Sequence, residues 1–200
     1  MKKVKTLQAA IVACGLALTG SAVAGGASAE ALGYTCAGCH GTNGVSSGPA
    51  SPTLAGMSRA VMIETMKGFR SGDINATIMG RIAKGYTDEE IEKIADFFAA
   101  QDYVAATQTT DAALVAKGAK LHDKYCEKCH SEGGDAAIAK EDEVGALKGQ
   151  WKPYLHYSLN DFINGKRPMP KKMKKKLEKM HKAEGEAGIK ALLDFYAAAK

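Results

Sequence analysis

The chain has 200 residues, a formal net charge of +5 and an aromatic content of only 6%. A chain of this length forms one or two modest domains. A composition poor in aromatic residues but rich in glycine and alanine favours helices joined by glycine-rich loops. No apolar run of about 18 or more residues lies outside the N-terminus, so a membrane span is not expected in the mature protein.

The first 29 residues have the organisation of a secretory signal peptide. Lysines near the start form a positive region, residues 7–18 form a short apolar stretch, and small residues at 27–29 precede a cleavage point before Glu30. A loose lipoprotein-like box ending at Cys14 and an uncleaved anchor are the alternatives. Cleavage predicts an exported protein of the periplasm, for which nucleic-acid binding is not expected.

Removal of the signal peptide leaves four cysteines, which fall in two copies of one pattern. The copies are Cys36-Ala37-Gly38-Cys39-His40 and Cys126-Glu127-Lys128-Cys129-His130. C-x-x-C-H is the attachment signature of c-type haem. The two thiols form thioethers with the vinyl groups of one porphyrin, and the adjacent histidine lies beneath the iron as proximal ligand. The sequence therefore predicts one covalent haem c on each motif, with His40 and His130 binding iron.

Other sites built from C-x-x-C pairs do not match this chain. A zinc ribbon places its pairs about 15–20 residues apart, whereas Cys39 and Cys126 are separated by 87 positions. A thioredoxin-like site requires a neighbouring βαβ pattern, and no strand-rich stretch lies near either motif. Two disulfides would leave the paired histidines unexplained.

An internal repeat divides the mature chain into two tandem helical domains. Residues 54–72 align without gaps onto 147–165 at an offset of 93, and each copy carries an apolar stripe at helical spacing. Thr87 and Asp111 are the expected helix caps, and the polar linker is expected to be exposed. The predicted units are the signal peptide 1–29, domain one at 30–104, the linker 105–111 and domain two at 112–200.

The repeat also nominates the second iron ligands. A methionine thioether raises the reduction potential relative to a second histidine. His40 and Met79 are 39 positions apart, and so are His130 and Met169. We therefore predict His/Met iron in both domains, with each methionine in a loop. The rivals for the second domain are Met173 and Met180, and the candidates for bis-histidine iron are His122, His156 and His181.

A ligating histidine usually donates its other ring N–H to a carbonyl. Pro52 is the predicted acceptor for His40, and Gly145 occupies the matching place for His130. A glycine carbonyl is held less rigidly than that of a proline. We therefore expect the two haems to differ in reduction potential.

Charge is distributed unevenly between the halves. Residues 30–108 carry 6 basic and 9 acidic side chains, a net charge of −3, whereas residues 109–200 carry 18 and 13, a net charge of +5. Much of the excess lies in the segment from Lys166 to Lys182, here called the lysine run, where nine basic residues accompany one acid. The run is either a solvated face that offsets the haem propionates or a steering patch for an acidic redox partner.

Four longer segments are more specific than the C-x-x-C-H motifs, which fit any c-type cytochrome. They are Gly-Pro-Ala-Ser-Pro at 48–52, Thr-Ile-Met-Gly-Arg-Ile-Ala-Lys-Gly-Tyr at 77–86, the stretch 118–130 that includes the second motif, and Arg-Pro-Met at 167–169. With them the chain resembles the dihaem cytochrome subunit of flavocytochrome c sulfide dehydrogenase over nearly its whole mature length.

The resemblance implies an all-α pair of class I-like cytochrome c domains whose haems lie close together. It also implies a partner, an FAD-containing flavoprotein that oxidises sulfide, with electrons passing from its flavin to the haems and then to a soluble acceptor. FAD is expected only in that partner, and this chain is not expected to be an enzyme itself. One alternative is a free dihaem cytochrome feeding a terminal oxidase. A haem peroxidase would need an open iron position, which two methionine ligands would close.

Overall fold

The computed structural model describes residues 26–198, so the predicted signal region from 1 to 25 lies outside the described residues. Within 26–198 all regular elements are helical, including short 3-10 helices at Thr42–Gly44 and Ala83–Gly85. No helix in that range has the length and apolar character needed to cross a membrane. The α-helices are α1 (Ala29–Tyr34), α2 (Ala37–His40), α3 (Arg59–Ser71), α4 (Met79–Ile82), α5 (Asp88–Ala99), α6 (Ala112–Tyr125), α7 (Ser131–Gly134), α8 (Ala136–Glu141), α9 (Lys152–Ile163) and α10 (Lys171–Ala197).

Two predicted helix starts are confirmed. Thr87 caps α5 in a capping box, because its hydroxyl accepts from the Glu90 N–H at 3.2 Å and the Glu90 carboxylate accepts from the Thr87 N–H at 2.9 Å. Asp111 caps α6 by accepting from the N–H groups of Ala113 and Leu114. Both caps satisfy amide donors that the first turn of a helix leaves unpaired.

Each half of the described chain has its own hydrophobic core. In the first half, α5 packs against α1 and α3; in the second, α10 packs along α6 and α9. The buried members of the first core are Leu32, Met62, Met66, Ala83, Ile91, Ile94, Ala95, Phe97 and Phe98. Those of the second are Leu121, Tyr125, Leu155, Leu177, Met180, Ile189, Ala191, Leu192, Leu193 and Tyr196. A separate core in each half is what tandem domains require.

The internal repeat is visible in the backbone, where α3 and α9 begin 93 positions apart. A glycine with positive φ precedes each helix, Gly56 at 68° and Gly149 at 79°. Each donates its N–H to the last helix of its own domain, at 2.9 Å to Phe98 and 2.8 Å to Tyr196. A Cβ added at Gly149 would also lie 2.6 Å from that of Ala105. Only glycine fits this conformation and this space.

The second domain differs from the first in its last helix. α10 is broken at Gly185, which has φ 56° and ψ −150°. The part after the break corresponds to α5, since residues 193–198 repeat the pattern of 95–100. The part before it carries most of the lysine run and has no equal in domain one, where α4 has only four residues.

The linker is less exposed than its polar composition predicted. Ala106 is 8% exposed and donates its N–H to the Gly149 carbonyl at 2.8 Å. The Gln108 side chain donates to the Gln150 carbonyl at 3.0 Å and accepts from the Lys152 N–H at 2.8 Å. The expectation of an exposed linker is therefore wrong at these positions, because the polar groups of the linker bond to domain two.

Gly118 marks a very close approach of α6 to α10. A Cβ at this position would lie 2.1 Å from the Ala191 carbonyl oxygen and 2.6 Å from the Phe195 Cβ. Gly118→Ala should force the helices apart and lower the free energy of unfolding by about 1–3 kcal/mol, the usual cost of overpacking. Urea unfolding followed by circular dichroism measures this change. Gly85→Ala, whose Cβ would meet no atom within 4 Å, is the control and should cost less than about 0.5 kcal/mol; equal losses would contradict the packing explanation.

Candidate functional site

The first C-x-x-C-H motif forms one helical turn. The His40 N–H donates to the Cys36 carbonyl at 3.0 Å, which closes α2 over the motif. Cys36 is half-buried and Cys39 is exposed, and neither forms a disulfide. Burial raises the pKa of the Cys36 thiol. The turn therefore presents two sulfurs and a histidine on one short element.

His40 is 7% exposed, and one specific hydrogen bond orients its ring. Nδ1 donates to the carbonyl of Pro52 at 2.9 Å, as predicted. A carbonyl oxygen only accepts, so the proton is on Nδ1 and Nε2 keeps a lone pair for a metal. Burial lowers the pKa of His40, and the bond to Pro52 opposes that fall. Burial thus favours the neutral ring, which is the form that binds metals.

The second motif repeats this arrangement after the end of α6. The His130 N–H donates to the Cys126 carbonyl at 3.0 Å. Cys126 is half-buried and Cys129 exposed, and neither forms a disulfide. Burial raises the pKa of the Cys126 thiol, against the opposing effects of the Tyr196 hydroxyl and Lys176. The two motifs therefore offer the same donor atoms.

Within the part of the chain that the structure describes, the Nδ1 atom of His130 lacks a hydrogen bond like the one that His40 Nδ1 donates to Pro52. The His130 Nδ1 is buried and has no hydrogen bond among the described residues. Burial lowers the pKa of His130, and the nearby His122 lowers it further. The Gly145 carbonyl acts in the opposite direction and raises that pKa. Gly145 is the predicted acceptor, but its contact with Nδ1 falls short of normal hydrogen-bond geometry. The two histidines are thus held differently.

His122 forms a buried polar network behind the second motif, a role that the sequence did not indicate. It is 2% exposed. Its Nδ1 lies 2.9 Å from the Tyr196 hydroxyl, and its Nε2 lies 2.7 Å from the Glu127 carboxylate and 3.0 Å from the His130 carbonyl. Both ring nitrogens are engaged, so His122 supports the backbone of the motif. It offers no free nitrogen for bis-histidine iron.

Both predicted methionine ligands lie at the edge of their domain cores. Met79 packs, partly buried, against the first core, and Met169 packs against the second. Met79 begins α4 instead of lying in a loop, whereas Met169 lies in the loop before α10. Met180 is 1% exposed and belongs to the core, while Met173 is half-buried on α10. Met169 and Met173 therefore stay the two candidates in domain two.

The lysine run lies next to the second motif. All of its lysines within α10 are exposed. The Lys176 ammonium lies 3.3 Å from the carbonyl of Lys124, two positions before Cys126. Lys174 approaches the single acid of the run, Glu178, only to 4.0 Å. The positive surface therefore borders the attachment point of the predicted second haem.

Two residues that depart from the repeat join the domains. The Gln150 side chain bonds to the backbone of Thr53, and Trp151 Nε1 donates to the Ser46 carbonyl at 3.2 Å. Neither residue belongs to a recognisable sequence motif. The available signal was the mismatch in the alignment, where Gln150 stands opposite Met57.

The donor set of each motif fits haem c. Two cysteines at C-x-x-C spacing and a following histidine are what covalent attachment and axial ligation need. The ring of His40, oriented through Nδ1, leaves the nitrogen that binds iron. A partly buried methionine in each domain supplies a soft sixth donor. Helical domains with such sites define the class of c-type cytochromes.

Comparison with known proteins places both halves in this class. The family model described as "Cytochrome c" matches residues 24–101, and the model described as "Cytochrome C oxidase, cbb3-type, subunit III" matches residues 113–184. Cytochrome c4 of Pseudomonas aeruginosa is 31% identical over 163 residues, covering 76% of this chain and 79% of that protein. The cytochrome subunit of sulfide dehydrogenase of Chlorobaculum tepidum is 46% identical over 69 residues. That stretch covers 34% of this chain and 62% of the subunit's own length.

A solved structure shares the fold. The crystal structure of reduced recombinant cytochrome c4 from Pseudomonas stutzeri matches with a TM-score of 0.73 at 22% identity, covering 88% of this chain and 100% of that chain. The chain belongs to the dihaem class I cytochrome c family and is cytochrome c4-like. The predicted all-α pair of cytochrome c domains is confirmed. Such domains imply covalently bound haem c and a role in electron transfer.

Proposed function

We propose that this chain is a periplasmic dihaem subunit that accepts electrons from an FAD-containing sulfide dehydrogenase subunit and passes them to a soluble acceptor. The main support is the repetition of one C-x-x-C-H turn in two domains that pack on each other. The proposed mature chain comprises domain one at 30–104, the linker 105–111 and domain two at 112–200, after removal of the signal peptide 1–29.

Each domain holds one haem in this proposal. Cys36 and Cys39 would hold the haem of domain one through thioethers, and Cys126 and Cys129 would hold that of domain two. His40 and Met79 would ligate the iron of domain one, and His130 and Met169 would ligate that of domain two. When bound, each haem supplies a one-electron Fe(III)/Fe(II) couple. With a histidine and a methionine on each iron, no position would stay open for a substrate, so this chain would carry electrons and the partner would perform the sulfur chemistry.

Two haems suit the electron count of sulfide oxidation. Oxidation of one sulfide to the level of elemental sulfur releases two electrons. In the proposed complex the partner's FAD would supply two-electron chemistry, and this chain would accept the electrons singly, one in each domain. FAD is needed only in the partner, and the chain has no glycine-rich dinucleotide fingerprint of its own.

Domain one is the proposed docking face for the flavoprotein. The likeness to the cytochrome subunit of sulfide dehydrogenase supports such a partner. Residues 30–108 carry a net charge of −3, whereas residues 109–200 carry +5. Docking of the flavoprotein on domain one would leave the lysine run of domain two free for a second partner. A permanent interface of this kind is large and more apolar than a transient one.

The lysine run is the proposed contact for the outgoing acceptor. It borders the second motif, so an acidic protein that docks on it would approach the second haem. Charged patches of this kind raise the rate of encounter more than the strength of binding. Separate faces for the two partners would allow electrons to enter through domain one and leave through domain two.

Replacing Lys174, Lys175 and Lys176 by glutamine should slow electron transfer to the acceptor by about tenfold or more at low salt, because steering is lost. Rising salt should have the same effect on the unaltered protein, since the Debye length is about 10 Å at 0.1 M. Stopped-flow oxidation of the reduced holoprotein measures both. The flavoprotein should remain bound in high salt and in the variant.

The matched control replaces three exposed lysines outside the run, Lys84, Lys120 and Lys190. It removes the same charge and should preserve most of the rate. Equal slowing in the two triple variants would show that only net charge matters and would argue against a docking site at the lysine run.

The second candidate function is a free dihaem cytochrome c that donates electrons to a terminal oxidase. The match to cytochrome c4 over 79% of that protein's length favours it. Purification from the native source distinguishes the two. A complex that contains flavin and reduces its haems with sulfide supports the first proposal. A free dihaem chain without flavin and without sulfide-driven haem reduction supports the second.

A further inference from the structure

Gln150 lies buried between the two domains, with both ends of its side-chain amide bonded. It is 1% exposed and directly precedes Trp151, the N-cap of α9. Its Oε1 accepts from the Thr53 N–H at 2.9 Å, and its Nε2 donates to the Thr53 carbonyl at 3.0 Å. Thr53 is itself 1% exposed. A side chain of domain two therefore holds the backbone of one buried residue in domain one.

Gln150 hydrogen-bonds to the peptide group that orients His40. A peptide unit joins the carbonyl of one residue and the N–H of the next in a single plane, so the Pro52 carbonyl and the Thr53 N–H form one rigid group. His40 Nδ1 donates to the oxygen of this peptide group at 2.9 Å, and Gln150 Oε1 accepts from its N–H at 2.9 Å. Hydrogen bonds connected in this way polarise one another. Gln150 thus both fixes the acceptor of His40 and strengthens it.

The arrangement has no counterpart in domain two among the described residues. In the repeat, the position of Gln150 corresponds to Met57, whose side chain has no amide group. The Nδ1 of His130 has no hydrogen bond within the described chain. The contact therefore acts on the histidine of one domain only, and it does so from the other domain.

We infer that Gln150 is a positioning residue that reaches across the domain interface, orients His40 and thereby sets the reduction potential of the first haem relative to the second. The inference rests on the proposed haem at Cys36 and Cys39 and is independent of the flavoprotein. A firm bond at Nδ1 makes the imidazole a better electron donor to iron. Better donation stabilises the ferric state, so the contact lowers the potential of the first haem.

The test uses the full holoprotein with Gln150→Met, which copies Met57 of domain one at little change in size. It removes both hydrogen bonds to Thr53 and also the one that Oε1 accepts from the Trp151 N–H at 3.2 Å. A redox titration that resolves the two haems should show one potential raised and the other unchanged. Paramagnetic NMR of the oxidised protein should show shifted ring resonances for His40 but not for His130. Unchanged potentials, or equal shifts of both haems, would overturn the inference.

Trp151→Phe is the matched control for a general loosening of the interface. It removes the neighbouring interdomain bond to the Ser46 carbonyl at 3.2 Å but leaves Gln150 in place. It should lower stability while both potentials stay the same. A shift as large as that of Gln150→Met would show that the interface as a whole, and not Gln150, sets the potential.

Amide hydrogen exchange provides a test that needs no variant. The Thr53 N–H should exchange many-fold more slowly than that of Ala146, its counterpart at the repeat offset of 93. Equal exchange of the two amides would contradict the contact itself. A mass that lacks a haem on domain one would instead contradict the proposed function, so the two failures are distinguishable.

Discussion

Replacing Cys126 and Cys129 together by serine should leave one haem where the parent has two, and an unfolded second domain. Thioether attachment requires both thiols of the motif. Each domain has only a modest core of its own, and small domains commonly need a cofactor or covalent constraint to fold. Denaturing mass spectrometry should therefore give the mature polypeptide plus one haem. Haem absorbance should fall by half, and the helical circular dichroism of domain two should be lost.

The mirror-image variant, with serine at Cys36 and Cys39, should remove the other haem and spare domain two. Cys14→Ser is the control, because this fifth cysteine lies in the predicted signal peptide and should leave both haems attached. A parent chain that carries one haem or none would contradict the dihaem assignment. Loss of both haems in either double variant would show that the domains do not acquire haem independently.

Met169→Ala should abolish the methionine ligation of one haem while leaving that haem covalently bound. The oxidised protein should lose half of its weak near-infrared methionine-to-iron charge-transfer band. One reduction potential should also fall, since a thioether ligand raises the potential of haem iron. The His40–Met79 pair should keep the other half of the band.

Two methionines of α10 serve as controls for this assignment. Met173→Ala removes the half-buried rival and should leave the whole band in place. Met180→Ala removes a core side chain that is 1% exposed, and it should lower the free energy of unfolding by about 2–5 kcal/mol without loss of ligation. A halved band in Met173→Ala, with an intact band in Met169→Ala, would reassign the ligand.

Features that depend on neighbouring residues could be predicted from the sequence. The C-x-x-C-H turns, the caps at Thr87 and Asp111 and the bond from His40 to Pro52 all join groups within a few to a dozen positions. Their geometry follows from local backbone rules. The internal repeat allowed local predictions for one domain to be applied to the other. For α3 and α9 this was correct, since the two helices begin at the predicted offset.

The repeat was less reliable where the two domains have diverged. Gly145 stands opposite Pro52 in sequence, yet its contact with His130 does not reach hydrogen-bond geometry. Met79 begins a short helix while Met169 lies in a loop. Similar spacing along the chain does not guarantee similar geometry, because the part of α10 before Gly185 has no counterpart in domain one.

The sequence by itself determined the class of cofactor and the helical fold of tandem cytochrome c domains, and it predicts one attachment site in each domain. Each of these follows from residue type and spacing along the chain. Only the tertiary structure decided that the linker packs against domain two, that His122 supports the second motif and that Gln150 grips the peptide group beside His40. Thr53 and Gln150 are 97 positions apart, and no local rule relates them. Such contacts depend on how the two domains pack together. That packing is determined by the whole surface buried between them.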